Sequence, residues 1–96
     1  MAEKIKLYLI SFTDDFGNLS KQWRLEKPDC LDSDSFSVVS ESFFSLPDGF
    51  FVSESRLGYF FIYDSNNRYC SLYTQYGKPF ICTNDGCRSL KQCDSI

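Results

Sequence analysis

Histidine is absent from the 96 residues, and that gap removes a set of mechanisms at once. Without imidazole there is no Ser–His–Asp triad, no Cys–His dyad, no His-ligated metal and no ordinary general base near neutral pH. Other absences extend the exclusion. Gly77-Lys78 has no upstream glycine and runs into Pro79, so it is not a phosphate-binding loop. No Gly-x-Ser-x-Gly elbow occurs. Asp32-Ser33-Asp34 lacks the glycine and the terminal glutamate of a calcium loop. Asp64-Ser65-Asn66-Asn67 reads as turn chemistry rather than as a carboxylate pair. The expectation is a non-enzymatic chain without a cofactor.

Apolar runs are short as well. Leu7-Tyr8-Leu9-Ile10, near the N-terminus, is bounded by Lys6 and Ser11 and is too short for a leader or a membrane span. The expected location is therefore the cytoplasm, where thiols stay reduced. The odd number of cysteines, five, fits that reading, because they cannot all pair internally. Cys70, Cys82, Cys87 and Cys93 lack the tight knuckle spacing of structural zinc sites. Buried or idle thiols are expected; a three-thiolate metal set of Cys82, Cys87 and Cys93, or a redox pair, are the lesser alternatives.

What is present is aromatic surface and unevenly placed charge. Aromatic residues make up 18% of a chain of 11.1 kDa, a size that accommodates one small domain spanning residues 1–96. The net charge is −3, but residues 26–54 carry seven carboxylates against Lys27 alone, a local net of −6 between nearly balanced flanks. Such a block repels nucleic-acid phosphates and anionic membrane and favours a partner with a basic face. With a pI of about 4.7 and scattered cations, direct binding of single-stranded nucleic acid is the weaker reading of the aromatic content.

The pattern along the chain predicts an α+β fold, mainly β. An N-terminal hairpin is expected over about 4–25, with the turn at Asp14-Asp15-Phe16-Gly17-Asn18. A C-terminal antiparallel β-meander is expected over about 50–83, with strands at 50–55, 59–63, 68–74 and 79–83. Between them, Phe36, Val39, Phe43 and Leu46 recur at helical spacing, and a short helix over about 36–46 is expected, although its serines and valines suit a strand equally. Residues 84–96 read as an irregular tail. If the loops of the meander are even in length, Tyr59, Phe61, Tyr63, Cys70, Leu72 and Ile81 share one face. Phe60, Ile62, Tyr69, Ser71, Tyr73, Phe80 and Cys82 then take the other. Both faces are apolar, so each requires a cover.

These features together point to a small acidic protein that binds and inhibits a basic, nucleic-acid-binding partner protein, the class to which immunity proteins and phage anti-defence (anti-CRISPR) inhibitors belong. The expected contact residues are Asp29, Asp32, Asp34 and Glu41 for the partner's cations, with Tyr69 and Tyr73 as aromatic anchors. The rival expectation is a homodimer or larger assembly that buries the second sheet face in itself.

Overall fold

Three hairpins of this protein close on the same five-residue turn. The computed structural model describes residues 3–26 and 36–93. The turns are Asp14–Asn18, Ser55–Tyr59 and Asp64–Arg68, and in each the first and last residues are joined by a backbone hydrogen bond of 2.7–3.0 Å. The fourth residue takes positive φ: Gly17 at 82°, Gly58 at 86° and Asn67 at 61°. Glycine and asparagine are the residues that adopt this conformation at least cost, so the turn is written into the sequence. The first side chain completes it. Asp14 Oδ1 accepts from the backbone N–H groups of Phe16 and Asn18, at 2.9 and 2.8 Å. Asp64 Oδ1 accepts from those of Asn66 and Arg68, both at 2.9 Å. Ser55 Oγ accepts from Tyr59 N at 3.2 Å.

Among the described residues these turns organise nine strands and no helix. β1 (Lys4–Thr13), β2 (Leu19–Arg24), β3 (Phe36–Ser45) and β9 (Lys91–Cys93) form one antiparallel sheet in the order β2-β1-β3-β9. β4 (Phe51–Glu54), β5 (Phe60–Tyr63), β6 (Tyr69–Gln75), β7 (Lys78–Thr83) and β8 (Gly86–Ser89) form a five-stranded meander. The chain passes between the sheets at Leu46–Phe50 and returns at Leu90; both leucines are buried.

The core lies between the two sheets. Ile5, Leu7 and Phe44 from the first meet Ile62, Cys70 and Ile81 from the second, with Leu46 and Leu90 from the crossings. Trp23 seals one side. Its ring packs edge-on against Phe44 at 5.1 Å, its backbone N–H donates to Thr74 Oγ1 at 2.7 Å, and its indole N–H donates to the Gly77 carbonyl at 3.0 Å. Carboxylates occupy strand donors that would otherwise lie open. Glu3 accepts from Val52 N at 2.7 Å and Glu26 from Phe60 N at 2.6 Å. Capping free strand edges with charged side chains is also how β-proteins discourage edge-to-edge association.

The mainly β fold, the hairpin and the meander agree with the sequence pattern, and three details differ. The stretch expected to be a helix, 36–46, is strand β3. A bulge explains the misleading spacing: Leu9 faces Ser40 and Ile10 faces Val38, leaving Val39 without a partner. The extra residue breaks the strand's period of two and imitates a helical repeat. The expected irregular tail contains strands β8 and β9; both are short and lack apolar alternation, so they carry little sequence signal. The third difference concerns the faces. Because Asp64–Arg68 has five residues, Ile62 faces Cys70 and Tyr63 faces Tyr69. The odd length turns β5 over relative to the even-loop expectation, while β6 and β7 keep theirs.

Two substitutions probe this scheme. Asn67→Val is expected to cost about 1–2 kcal/mol, the price of a β-branched residue at positive φ. Leu7→Ala should cost about 2–5 kcal/mol through the cavity left in the core. Urea denaturation measures both; a wild-type midpoint for Asn67→Val would show that the turn does not require positive φ.

Candidate binding face

The odd turn gives the two sides of the meander different chemistry. Facing the core are Val52, Ile62, Cys70, Leu72 and Ile81. Facing outward are rings. Phe51 on β4 stacks on Tyr63 of β5 at 5.7 Å, Tyr63 meets Tyr69 of β6 edge-on at 6.5 Å, and Phe61 meets Tyr69 at 5.8 Å. Tyr73 and Phe80 continue the face as opposed residues on β6 and β7. Between the rings lie Ser53, Ser71 and Ser89, and Lys78 is the one charged residue at its strand positions. Tyr69 and Tyr73 remain 59% and 56% exposed, so the face is not used up by internal packing.

A groove of about 230 Å³ crosses this face, walled by Arg68, Tyr69, Ser71, Tyr73, Cys82 and Thr83. Cys82 faces Ser71 on one side and Cys87 on the other. Cys82 and Cys87 form a disulfide with Cα atoms 4.0 Å apart, the close approach of directly opposed residues in an antiparallel ladder. The expectation of idle thiols is therefore corrected for this pair. The opposite orientation of Cys70 and Cys82 agrees with the sequence reading. Cys70 is a free, buried thiol whose pKa is pushed up by desolvation and by the nearby Asp64 carboxylate, partly offset by Arg68, which makes it a poor nucleophile. Cys93 faces Phe43 on the other sheet, so Cys82, Cys87 and Cys93 do not converge on a common point.

Charge gathers at one end of the face. Asp64 Oδ2 accepts from Arg68 Nε at 2.9 Å, and Arg68 Nη2 reaches Asp85 Oδ2 at 3.6 Å. These groups border a polar cleft of about 340 Å³ that also includes Asp48 and Arg88, the latter 5.9 Å from the Phe50 ring. The backbone N–H of Arg68 is the main cause that holds the Asp64 carboxyl below the usual carboxylate range, with the Asn66 N–H and the Arg68 side chain adding to it against desolvation. The Asp14 carboxyl is lowered in the same way, first by the Asn18 N–H.

Of the six residues expected to bind a partner, Tyr69 and Tyr73 share this face. Asp29, Asp32 and Asp34 lie outside the described residues. Glu41 is elsewhere: it faces Tyr8 on the outer side of the other sheet and pairs with Lys6 at 3.1 Å. That hydrogen bond raises the Lys6 pKa, and the ammonium also stands over the Tyr8 and Phe43 rings at 5.6 and 5.7 Å. With the core between the sheets, Glu41 and the two tyrosines are on opposite sides of the molecule. Phe51, Phe61 and Tyr63 belong to the aromatic face and are not among the residues expected from the sequence; the five-residue turn that places Phe61 and Tyr63 there differs from the expected four-residue connection by one residue, Arg68.

No protein family matches this chain, and comparison with curated proteins and with solved structures finds none similar to it. No helix among the described residues is long and apolar enough to cross a membrane.

The two depressed carboxylates give stability a defined pH response. Their contribution is complete above about pH 4, near the ordinary aspartate value of 3.8, and is lost as pH falls through the lower folded values. Asp64→Asn has no proton to take up at that position, so its stability should fall less steeply than wild type between about pH 4 and pH 2. Parallel acid profiles in urea denaturation would refute a role for Asp64 ionisation.

Proposed function

We propose that this chain is a non-enzymatic binding protein that docks through the aromatic face of its five-stranded sheet and inhibits a basic, nucleic-acid-binding protein partner by covering it. One observation carries the reading: six aromatic residues and three serines share an outward sheet face whose strand positions hold no carboxylate. Tyrosine and phenylalanine offer large contact area at low entropic cost, and serine supplies adaptable hydrogen bonds, the combination that protein-binding surfaces favour. The acidic block adds charge complementarity. Asp48 stands in the cleft beside Arg68, at the end of the groove that Tyr69 and Tyr73 line. Asp29, Asp32 and Asp34 extend that negative charge in sequence and steer a basic partner.

Five other carboxylates have structural work. Glu3 and Glu26 cap strand donors, Asp14 and Asp64 build turns, and Glu41 holds Lys6. That distribution supports a binding rather than a catalytic protein. A platform for single-stranded nucleic acid needs cations beside its rings. Here Lys78 is alone among the strand positions, and Arg68 at the edge is engaged by two aspartates. The cytoplasm remains the proposed location.

The test compares wild type with a Tyr69→Ala/Tyr73→Ala variant and with an Asp29→Lys/Asp32→Lys/Asp34→Lys variant. Against a partner captured from the native host, loss of both tyrosines should weaken binding by about 30-fold or more at an unchanged melting temperature. The charge-reversed variant should bind more weakly and with less dependence on salt. Unchanged affinity in both variants would refute the reading. A salt-insensitive dimer in sedimentation, abolished by the tyrosine variant, would assign the face to a second copy of the chain instead.

A further inference from the structure

We infer that Cys82 and Cys87 form a reversible dithiol–disulfide pair that governs whether β8 is held against β7, and thereby whether one wall of the aromatic groove is fixed. The part of this inference that concerns docking rests on the proposed function; the part that concerns β8 stands alone.

Three observations support it. The first is how little else secures β8. All four of its residues, Gly86 to Ser89, are exposed, and none belongs to the core between the sheets. It is the edge strand of its sheet, paired on one side only, with β7. Besides that ladder it has the disulfide, the contact of Arg88 with Phe50, a long hydrogen bond from Thr83 Oγ1 to the Gly86 carbonyl at 3.4 Å, and a turn in which Thr83 Oγ1 accepts from Asp85 N at 3.1 Å. The Arg68–Asp85 pair at 3.6 Å is the turn's ionic link to the neighbouring hairpin, and it is open to solvent.

The second observation is a firm boundary. Immediately after β8, Leu90 is buried in the core and its N–H donates to the Pro79 carbonyl at 3.0 Å. At the other end, Ile81 is buried on β7. Loosening can therefore be confined to the segment between these anchors, without unpacking the core.

The third is placement. Cys82 lies opposite Ser71, between Tyr69 and Tyr73 along β6, and lines the groove. Cys87 is exposed, so a small thiol can reach it, whereas the remaining cysteine of this sheet, Cys70, is buried.

The exchange reaction balances with a dithiol as the reductant. A thiolate of the dithiol attacks the Cys87 sulfur, the bond to Cys82 breaks, and the electron pair leaves on the Cys82 sulfur, which takes a proton. The reductant's second thiolate then attacks its own sulfur in the mixed disulfide and releases Cys87, which takes a second proton. Two electrons and two protons pass to the protein, and the dithiol becomes a cyclic disulfide. Oxidised glutathione drives the reverse reaction.

Hydrogen exchange of the full chain, with and without dithiothreitol, tests this without any partner. On reduction, the amides of 86–89 should exchange about tenfold faster or more, while β1, β3 and β6 keep their protection. Oxidised glutathione should restore the slow exchange, and Cys82→Ser/Cys87→Ser should match the reduced chain and ignore both reagents. Unchanged exchange at 86–89 in the reduced chain would overturn the inference. So would loss of protection throughout the molecule, or failure of the bond to re-form. Partner affinity measured in both redox states tests the link to docking, and equal affinities would sever it. A responsive β8 in a chain whose Tyr69→Ala/Tyr73→Ala variant binds like wild type would remove the docking reading and leave the switch.

Discussion

The Asp64 carboxylate accepts three hydrogen bonds within five residues, two from backbone N–H groups and one from the Arg68 side chain, and this small cluster decides the identity of both sides of the meander. With Asn67 in the left-handed conformation, the turn spans an odd number of residues and Ile62 faces inward beside Cys70. Aliphatic side chains then enter the core and rings are sent outward. The same device recurs at Asp14 and Ser55, so the registers of three hairpins rest on one local solution: a short oxygen-bearing side chain first, a residue tolerant of positive φ fourth.

Joining the two sheets is a separate matter, and polar contacts do it at the margins of an apolar core. Trp23 reaches across with its backbone N–H and its indole N–H, tying the edge of one sheet to the β6–β7 hairpin. Glu3 and Glu26 work similarly from the chain segments that flank β1 and β2, each placing a carboxylate on a strand donor of the meander. Of these contacts, the one from Glu3 lies on β4, an edge strand whose open donors could otherwise pair with another chain. The aromatic face lies on the outer side of the meander, away from these contacts, and Tyr69 and Tyr73 stay exposed there.

How much of this was legible in the sequence depended on whether a single residue could shift the phase. Strands rich in β-branched and aromatic residues were found at nearly their observed bounds, because Gly77, Gly58 and the Asp64–Asn67 stretch punctuate them clearly. Tyr69 and Tyr73 were recognisable as neighbours on one face, since the two-residue Tyr76-Gly77 turn leaves only one parity for β6 and β7. Phe61 and Tyr63 are not legible in the same way, because four- and five-residue loops of that composition look alike and place them on opposite sides. Val39 misled in the same manner, one unpartnered residue turning a strand's alternation into an apparent helix. The Cys82–Cys87 bond required β8, whose exposed Gly-Cys-Arg-Ser has no hydrophobic rhythm; the Asn84-Asp85-Gly86 turn between the two cysteines was its available sign. Glu41 stands out in the sequence by its charge alone, and charge says nothing about which sheet carries it.

The odd-length turns also bear on how this chain can change over generations. A one-residue deletion within Asp64–Arg68 would exchange the inward and outward sets of every strand on one side of it, bringing tyrosines into the core and leucines and isoleucines into water. Substitutions at Tyr69, Tyr73 or Phe80 disturb only one position each and leave the register intact. The aromatic surface can therefore be rewritten residue by residue, while the lengths of the turns beneath it are held almost constant. The outer surface of such a scaffold is open to substitution, and the scaffold itself tolerates few changes in length.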